Sequence, residues 1–295
     1  MKKILALDMG GTFIKWGIIN NDGDNMTILE KGRFPTNAKH NSGLEIIWNM
    51  GKFASTMKKK HKDIKCVCST IVGPFDTDRY VVLSHQSLKG YSDVNVKKEF
   101  AKYCKLPLYA DNDVKAAALG ELHSGALKGL EHVNAVVMAI GTGIAGCPII
   151  DGKVYRGSNF SSGECGQMLV NNHHFEMYYG VPFFISRCEQ IYGKPLTGEE
   201  SLELAKTNVP VKREVDEWYD GIVKGIMYYI YLLNPQYVVL GGKITEHKSF
   251  DMDRIKKVML RLAQKPKTSF EQVQIIKAKL GNDAALIGAA CLCEK

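Results

Sequence analysis

The stretch Leu7-Asp8-Met9-Gly10-Gly11-Thr12-Phe13-Ile14-Lys15 joins two apolar strand patterns, residues 4–9 and 13–19, through a Gly-Gly-Thr turn. Glycines at such a tip let backbone N–H groups approach an anion, and the Thr12 hydroxyl and Lys15 ammonium add donors. Asp8, at the strand end, is placed to hold a magnesium ion or its waters beside a phosphate. A plain hairpin with a solvated carboxylate would use the same residues, and the G-x-x-x-x-G-K-[ST] pattern of a Walker A loop is absent. A second copy strengthens the phosphate reading considerably. Ile140-Gly141-Thr142-Gly143-Ile144-Ala145-Gly146 stands between strand patterns at Ala135–Ile140 and Ile144–Ile150. An Asp151-Gly152 turn follows it, as Asn21-Asp22-Gly23 follows the first pair. The unit of strand, Gly-Thr turn, strand and Asp-Gly turn therefore occurs twice, and two facing hairpins can grip a phosphate chain from both sides.

Outward from these hairpins, strands and helices alternate. A third strand covers residues 27–34, and apolar residues at helical spacing mark 43–61. A buried strand at 66–72 ends at Gly73-Pro74, and a short helix follows at 96–103. A strand at 108–110 leads into an alanine-rich helix at 114–124. In the second half a helix at 215–233 stops at Asn234-Pro235, and a strand at 237–240 ends at Gly241-Gly242. A helix at 253–263, a strand at 273–278 and a closing helix at 284–293 complete the chain. This pattern predicts an α/β protein of two lobes with a ligand cleft between them. The expected lobes are 1–112, with the closing segment 284–295 packing back on it, and 113–283.

The 295 residues are 45% hydrophobic and 24% charged, an ordinary globular balance, and 28 Gly and 9 Pro without period exclude a collagen-like chain. Net charge is 39 − 31 = +8, but lysine runs such as Lys58-Lys59-Lys60 and Lys256-Lys257 are scattered. Without a dense basic stripe, nucleic acid is not an expected partner, whereas an anionic small molecule is compatible. The eight cysteines form no C-x-x-C pair, and several lie in apolar runs (Cys66-Val67-Cys68, Cys291-Leu292-Cys293), where a thiol acts as a small hydrophobe. Met1-Lys2-Lys3-Ile4-Leu5 leads straight into a strand with no signal-peptide cleavage region, and no apolar run reaches the ~18 residues of a membrane span. The expected location is the cytoplasm.

A third constellation is Ala110-Asp111-Asn112-Asp113-Val114-Lys115-Ala116-Ala117-Ala118-Leu119-Gly120-Glu121, where a strand ends and a helix starts. An Asp here can be a helix cap or a catalytic carboxylate, and Asp111 and Asp113 cannot both be an essential base. The Asn112 amide offers a donor and an acceptor suited to a sugar hydroxyl.

With these stretches in hand, the sequence resembles the ROK family of sugar kinases (repressors, open reading frames, kinases), within the actin-like ATPase superfamily. Further matching segments are Thr70-Ile71-Val72-Gly73-Pro74-Phe75-Asp76, Asp151-Gly152-Lys153-Val154-Tyr155-Arg156-Gly157, Gly163-Glu164-Cys165-Gly166-Gln167-Met168, Val239-Leu240-Gly241-Gly242 and Gly281-Asn282-Asp283-Ala284-Ala285-Leu286-Ile287-Gly288, in family order. The resemblance implies the two-lobed actin-like (ribonuclease H-like) fold, with lobes that close over substrates about a hinge near 110–114. It implies ATP and Mg²⁺ as cofactors, a sugar as the small-molecule partner, and a homodimer. By resemblance Asp113 is the general base that deprotonates the 6-hydroxyl of a hexose or β-glucoside. Gly73, Asn112, Glu164 and Gln167 line the sugar; Gly10, Gly11, Thr12, Lys15, Thr142 and Gly143 hold phosphates, with Asp8 reaching Mg²⁺ through phosphate or water; Gly241 and Gly242 border the adenosine.

The chain also departs from the family. Gln167 stands where many members carry a His, and Asn171-Asn172-His173-His174-Phe175-Glu176 replaces the cysteine-rich zinc loop, so no zinc site is expected there. That resembles the zinc-free β-glucoside kinases; glucose and N-acetylmannosamine remain alternative acceptors. Glu176 is a candidate for the sugar-contacting glutamate that follows the zinc loop. Lys115 is either a helix-surface lysine or one that reaches phosphate. The aromatics Phe175, Tyr178, Tyr179, Phe183 and Phe184 suit core packing or a second sugar ring. Ala145 and Cys147-Pro148 are expected to make the second strand of the second hairpin less regular. The repressor branch carries a helix-turn-helix module before the first hairpin, for which the strand starting at Lys3 leaves no room. A sugar sensor without turnover is the other alternative.

Overall fold

The structure, a computed structural model, describes residues 2–23, 25–84, 88–263 and 272–294; Met1 and Lys295, which bound the expected first lobe, lie outside them. In chain order the strands are β1 (Lys2–Met9), β2 (Phe13–Asn21), β3 (Met26–Pro35), β4 (Ile64–Ile71), β5 (Phe75–Asp76), β6 (Val81–Val82), β7 (Leu108–Asn112), β8 (Ala135–Ile140), β9 (Ile144–Ile150), β10 (Lys153–Val154), β11 (Leu169–Val170), β12 (His173–His174), β13 (Tyr237–Gly241) and β14 (Gln274–Lys277). The helices are α1 (Gly43–Lys60), α2 (Val96–Phe100), α3 (Asp113–His123), α4 (Phe175–Tyr179), α5 (Val181–Tyr192), α6 (Gly198–Leu204), α7 (Val209–Leu233), α8 (Lys243–Glu246), α9 (Met252–Leu262) and α10 (Ala284–Cys291). No described helix is long and apolar enough to cross a membrane.

The chain divides into two compact units, the first Met1–Gly129, Arg156–Ser161 and Asp283–Lys295, the second Leu130–Tyr155 and Ser162–Asn282. This differs from the expected boundary at 112/113 because α3 packs with the first unit. A Cβ on Gly288 of α10 would overlap the Ala116 carbonyl of α3, so the two helix backbones touch. Residues 156–161 join the first unit because Arg156 pairs with Asp111 and the Phe160 carbonyl accepts from Lys115 Nζ.

In the first unit the sheet order is β3-β2-β1-β4-β7, with β1, β2 and β3 antiparallel and β4 and β7 running parallel to β1. Side chains alternate across β1. Leu5 and Leu7 pack with Ile46, Ile47 and Met50 of α1, while Ile4 and Ala6 pack with Leu286, Ala289 and Ala290 of α10. Both faces of the strand are covered, which is why it reads as an unbroken apolar run.

The second unit repeats the scheme in the order β10-β9-β8-β13-β14, so the duplication seen at the hairpins extends through the whole sheet. β9 pairs in regular register across Cys147-Pro148, with Pro148 opposite Val136, contrary to the expected irregularity. Its core gathers Phe175, Tyr179, Phe184, Trp218 and Tyr219, so three of the five candidate stacking aromatics are core residues. Helix α7 starts at Val209, earlier than the apolar period suggested, because Asn208 caps it by accepting from Val211 N at 3.0 Å.

Candidate active site

In the first unit the turn between β1 and β2 is fixed from beneath. A Cβ on Gly10 would stand 2.8 Å from the Phe13 carbonyl oxygen, to which Gly10 N donates at 3.1 Å, so the tip closes only with glycine there. Thr36 at the end of β3 ties the tip down: its hydroxyl donates to Gly10 O at 2.6 Å and its N–H to Thr12 O at 3.0 Å. Gly11 and Thr12 remain exposed, and a Cβ on Gly11 would meet nothing within 4 Å. Asp8 is buried beside Lys15, its cross-strand partner in the ladder. Lys15 Nζ donates to Asp8 Oδ2 at 3.0 Å, and Thr70 Oγ1, on β4, donates to Asp8 Oδ1 at 2.8 Å while accepting from Met9 N at 2.9 Å. Thr70 is thus a supporting residue that the hairpin sequence alone does not disclose. A single carboxylate already bonded by an ammonium and a hydroxyl is a poor all-protein cage for Mg²⁺, which keeps several waters and is commonly shared with phosphates. The residues fit a magnesium held through water and phosphate.

The β7–α3 junction separates its two acids. Asp111 is fully buried; it accepts from Arg156 Nε at 3.0 Å and from Arg156 Nη2, and takes Asn112 N at 2.9 Å. Asp113, half-buried, is the first residue of α3. Its Oδ1 accepts from Asn112 Nδ2 and Val114 N, both at 2.9 Å. The helix cap is Asn112 itself, whose Oδ1 accepts from Val114 N at 3.1 Å and Lys115 N at 3.2 Å and whose Nδ2 also reaches Gly73 O at 3.1 Å. The Asn112 amide is therefore spent on holding Gly73 and Asp113 in place. Burial pushes the neighbouring Tyr91 hydroxyl up, and the Asp113 charge adds to the effect. Lys115 is not on the helix surface. It is 2% exposed, and its Nζ donates to Phe160 O at 3.1 Å.

In the second unit Gly141 N donates to Gly143 O at 2.9 Å across the hairpin tip, and Val181 N, opening α5, docks on Gly141 O at 2.8 Å. Thr142 and Gly143 stay exposed. Beside the hairpin lies a cavity of about 430 Å³ with apolar walls from Val181, Ile185, Leu196 and Ile244. Gly242 follows β13 with φ +106°, and a Cβ there would overlap the Ile140 carbonyl oxygen, so only glycine lets β13 turn into α8 at this point. The α5 and α6 contributions to the cavity come from a stretch whose sequence carried no motif.

Glu164 precedes a short 3₁₀ turn, Cys165–Gln167. Gln167 Nε2 donates to Glu176 Oε1 at 2.6 Å. A Cβ on Gly143 or Gly166 would stand 2.8 or 2.7 Å from Glu176 Oε2, so the two glycines make room for this carboxylate beside the hairpin. Glu176, far from Gln167 in motif terms, is thereby brought into the same group as Gln167 and Gly143. His174 Nδ1 lies 3.2 Å from Gln167 O, and His173 stacks on Tyr178 at 4.1 Å.

A family model described as ROK family matches residues 4–295. The chain is 33% identical to an uncharacterized protein of Clostridium perfringens, over 96% of this chain and 95% of that one. It is 27% identical to a beta-glucoside kinase of Listeria innocua, over 84% of this chain and 85% of that one. Its fold is similar to that of a ROK family glucokinase from Streptomyces griseus solved with glucose and AMPPNP, with a TM-score of 0.81 at 22% identity over 98% of both chains.

Proposed function

The chain belongs to the ROK family, and from that premise we propose that it is an ATP-dependent sugar kinase that transfers the γ-phosphoryl of ATP to the 6-hydroxyl of a hexose or β-glucoside. The observation that carries this reading is the division of labour between the two acids of the β7–α3 junction. Asp111 is sealed against Arg156, whereas Asp113 sits half-buried at the first turn of a helix with its carboxylate oriented by two N–H donors. Such a carboxylate is suited to general-base work. Asp113 accepts the proton of the sugar hydroxyl as that oxygen attacks phosphorus; the bond to the ADP oxygen breaks and ADP leaves. Phosphoryl transfer asks mainly for positioning and charge neutralisation. The N–H groups of Gly11 and Thr12 in the first unit and of Thr142 and Gly143 in the second serve phosphate, with Gly10 closing the first tip beneath it and Lys15 as an added cation. Mg²⁺, when bound, neutralises phosphate charge, and Asp8 would hold its waters.

On the second unit, Glu164, Gln167 and Glu176 supply hydrogen bonds to ring hydroxyls, and the cavity flanked by Gly141 and Ile244 takes the adenosine, with Gly241 and Gly242 at its border. Asn112 and Gly73 act as positioning residues for Asp113. A β-glucoside acceptor is supported by the beta-glucoside kinase of Listeria innocua among the relatives, and the Gln167–Glu176 pair is where we place that acceptor's selection. The reading places the protein in the cytoplasm, where ATP is available, with no nucleic-acid partner. The test is ADP release with Mg-ATP across glucose, mannose, fructose, N-acetylmannosamine, N-acetylglucosamine, cellobiose and an aryl β-glucoside, wild type beside Asp113→Asn. Turnover on a β-glucoside that Asp113→Asn abolishes supports it. Sugar binding without turnover on any member overturns it in favour of a sensor.

A further inference from the structure

Away from this site, three sulfurs meet in the first unit. Cys66 and Cys68 are two residues apart on β4 and so face the same side of the sheet, the side that α10 covers. Cys293 follows α10 in the 3₁₀ turn Leu292–Glu294. The three Sγ atoms all lie within 4.8 Å of one another, and the residues are 1%, 0% and 9% exposed. Lys2 on the adjacent strand β1 reaches the same corner, its Nζ donating to Cys293 O at 3.4 Å. Among the described residues this is the only group of three His, Cys, Asp or Glu side chains gathered this closely.

We propose that Cys66, Cys68 and Cys293 form a site for one thiophilic divalent cation of the zinc group. Metal–sulfur bonds of ~2.3 Å around a tetrahedral ion set sulfurs about 3.8 Å apart, so a cluster already within 4.8 Å needs only a small closing movement. Soft thiolates select such ions over magnesium or calcium. Charge selects the valence: three thiolates, a dication and the Lys2 ammonium sum to zero, which a buried apolar corner tolerates, whereas a monocation leaves a net negative charge. On binding, three metal–sulfur bonds form, the three thiol protons pass to solvent and no electron is transferred. A water completes the tetrahedron. The spacing of these cysteines hides the site, because Cys293 reaches β4 only through the packing of α10. Occupancy would clamp the C-terminal turn to the strand that carries Thr70, two residues beyond Cys68.

Full-length protein, reduced and stripped of metal by a chelator, would be titrated with Cd²⁺, following the thiolate-to-metal charge-transfer absorbance and the melting temperature. The expected result is saturation at one equivalent with a rise in Tm of a few degrees. Cys293→Ala and Cys66→Ala should each lose the tight phase and the Tm rise. Cys104→Ala, at a buried cysteine on the other side of the same sheet, should keep both. Far-UV circular dichroism establishes that each variant folds, and Cys293→Ala, near the chain end, carries the test if Cys66→Ala does not. A wild type that shows no charge-transfer band overturns the proposal. So does a tight phase that survives Cys293→Ala.

Discussion

Asp111 and Asp113 flank one strand–helix junction, yet the first accepts a guanidinium in the interior and the second is half-buried at the helix start. Two variants read the difference. Asp113→Asn should lower turnover by about 10²–10⁴-fold while calorimetric sugar affinity stays within a few-fold, because only proton acceptance is removed. If affinity is lost together with turnover, Asp113 is a structural residue. Arg156→Ala leaves the buried Asp111 carboxylate unpaired and should cost about 3–5 kcal/mol in urea unfolding; a loss below ~1 kcal/mol would show that the pair is dispensable. The Asp113 motif is legible in sequence, since Asn112 and Asp113 adjoin a strand end and an alanine-rich helix. The Asp111 partner is not, because Arg156 arrives from a distant turn. Lys115 teaches the same point: a lysine that reads as solvated is buried because the Phe160 carbonyl is brought to its ammonium.

Among elements, the α3–α10 contact and the β13–α8 turn are two places where no side chain fits. Gly288→Ala would drive a methyl into the Ala116 carbonyl and the α3 backbone at Gly120, and overpacking of this kind costs about 1–3 kcal/mol or more. The urea midpoint should fall accordingly, and an unchanged midpoint would mean that the helices separate at no cost. Gly242→Ala meets both a left-handed φ and the Ile140 carbonyl, so it should distort the border of the cavity beside Gly141. The expected readout is a raised KM for ATP with the KM for sugar little changed; the reverse pattern would remove adenosine from that cavity. The sequence reading located β8, β9, β13 and α9 to within a residue or two, but it missed α5 and α6. Val181 and Ile185 of α5 line the cavity while Phe184 and Cys188 enter the core, and α6 is only seven residues long.

For the whole molecule, burial pushes the Cys165 and Cys188 thiols from an ordinary 9.0 up to about 11. The folded state therefore keeps protons that the unfolded chain gives up near pH 9. Their contribution is fully present below that pH and is lost as pH rises through about 11. Burial also pushes the Tyr219 and Tyr229 hydroxyls up, which adds the same sign at higher pH. The urea midpoint should hold between pH 7 and 8.5 and fall by pH 10.5; a midpoint that rises over that interval would show that these thiols are not buried in solution.

The sequence by itself determined the duplicated strand–turn–strand unit, its two Gly-Thr hairpins and the Asp111-Asn112-Asp113 junction, because each is a local pattern written in consecutive residues and dictated by glycine, proline and alternation. Tertiary structure alone decided which acid is sealed by Arg156, that Asn112 spends its amide on Gly73 and Asp113, and that Glu176 meets Gln167 beside Gly143. It also decided that α3 belongs with the first unit and that Cys293 joins Cys66 and Cys68. Those outcomes depend on long-range packing, where a sheet and the helices across its faces choose neighbours that no spacing along the chain can specify.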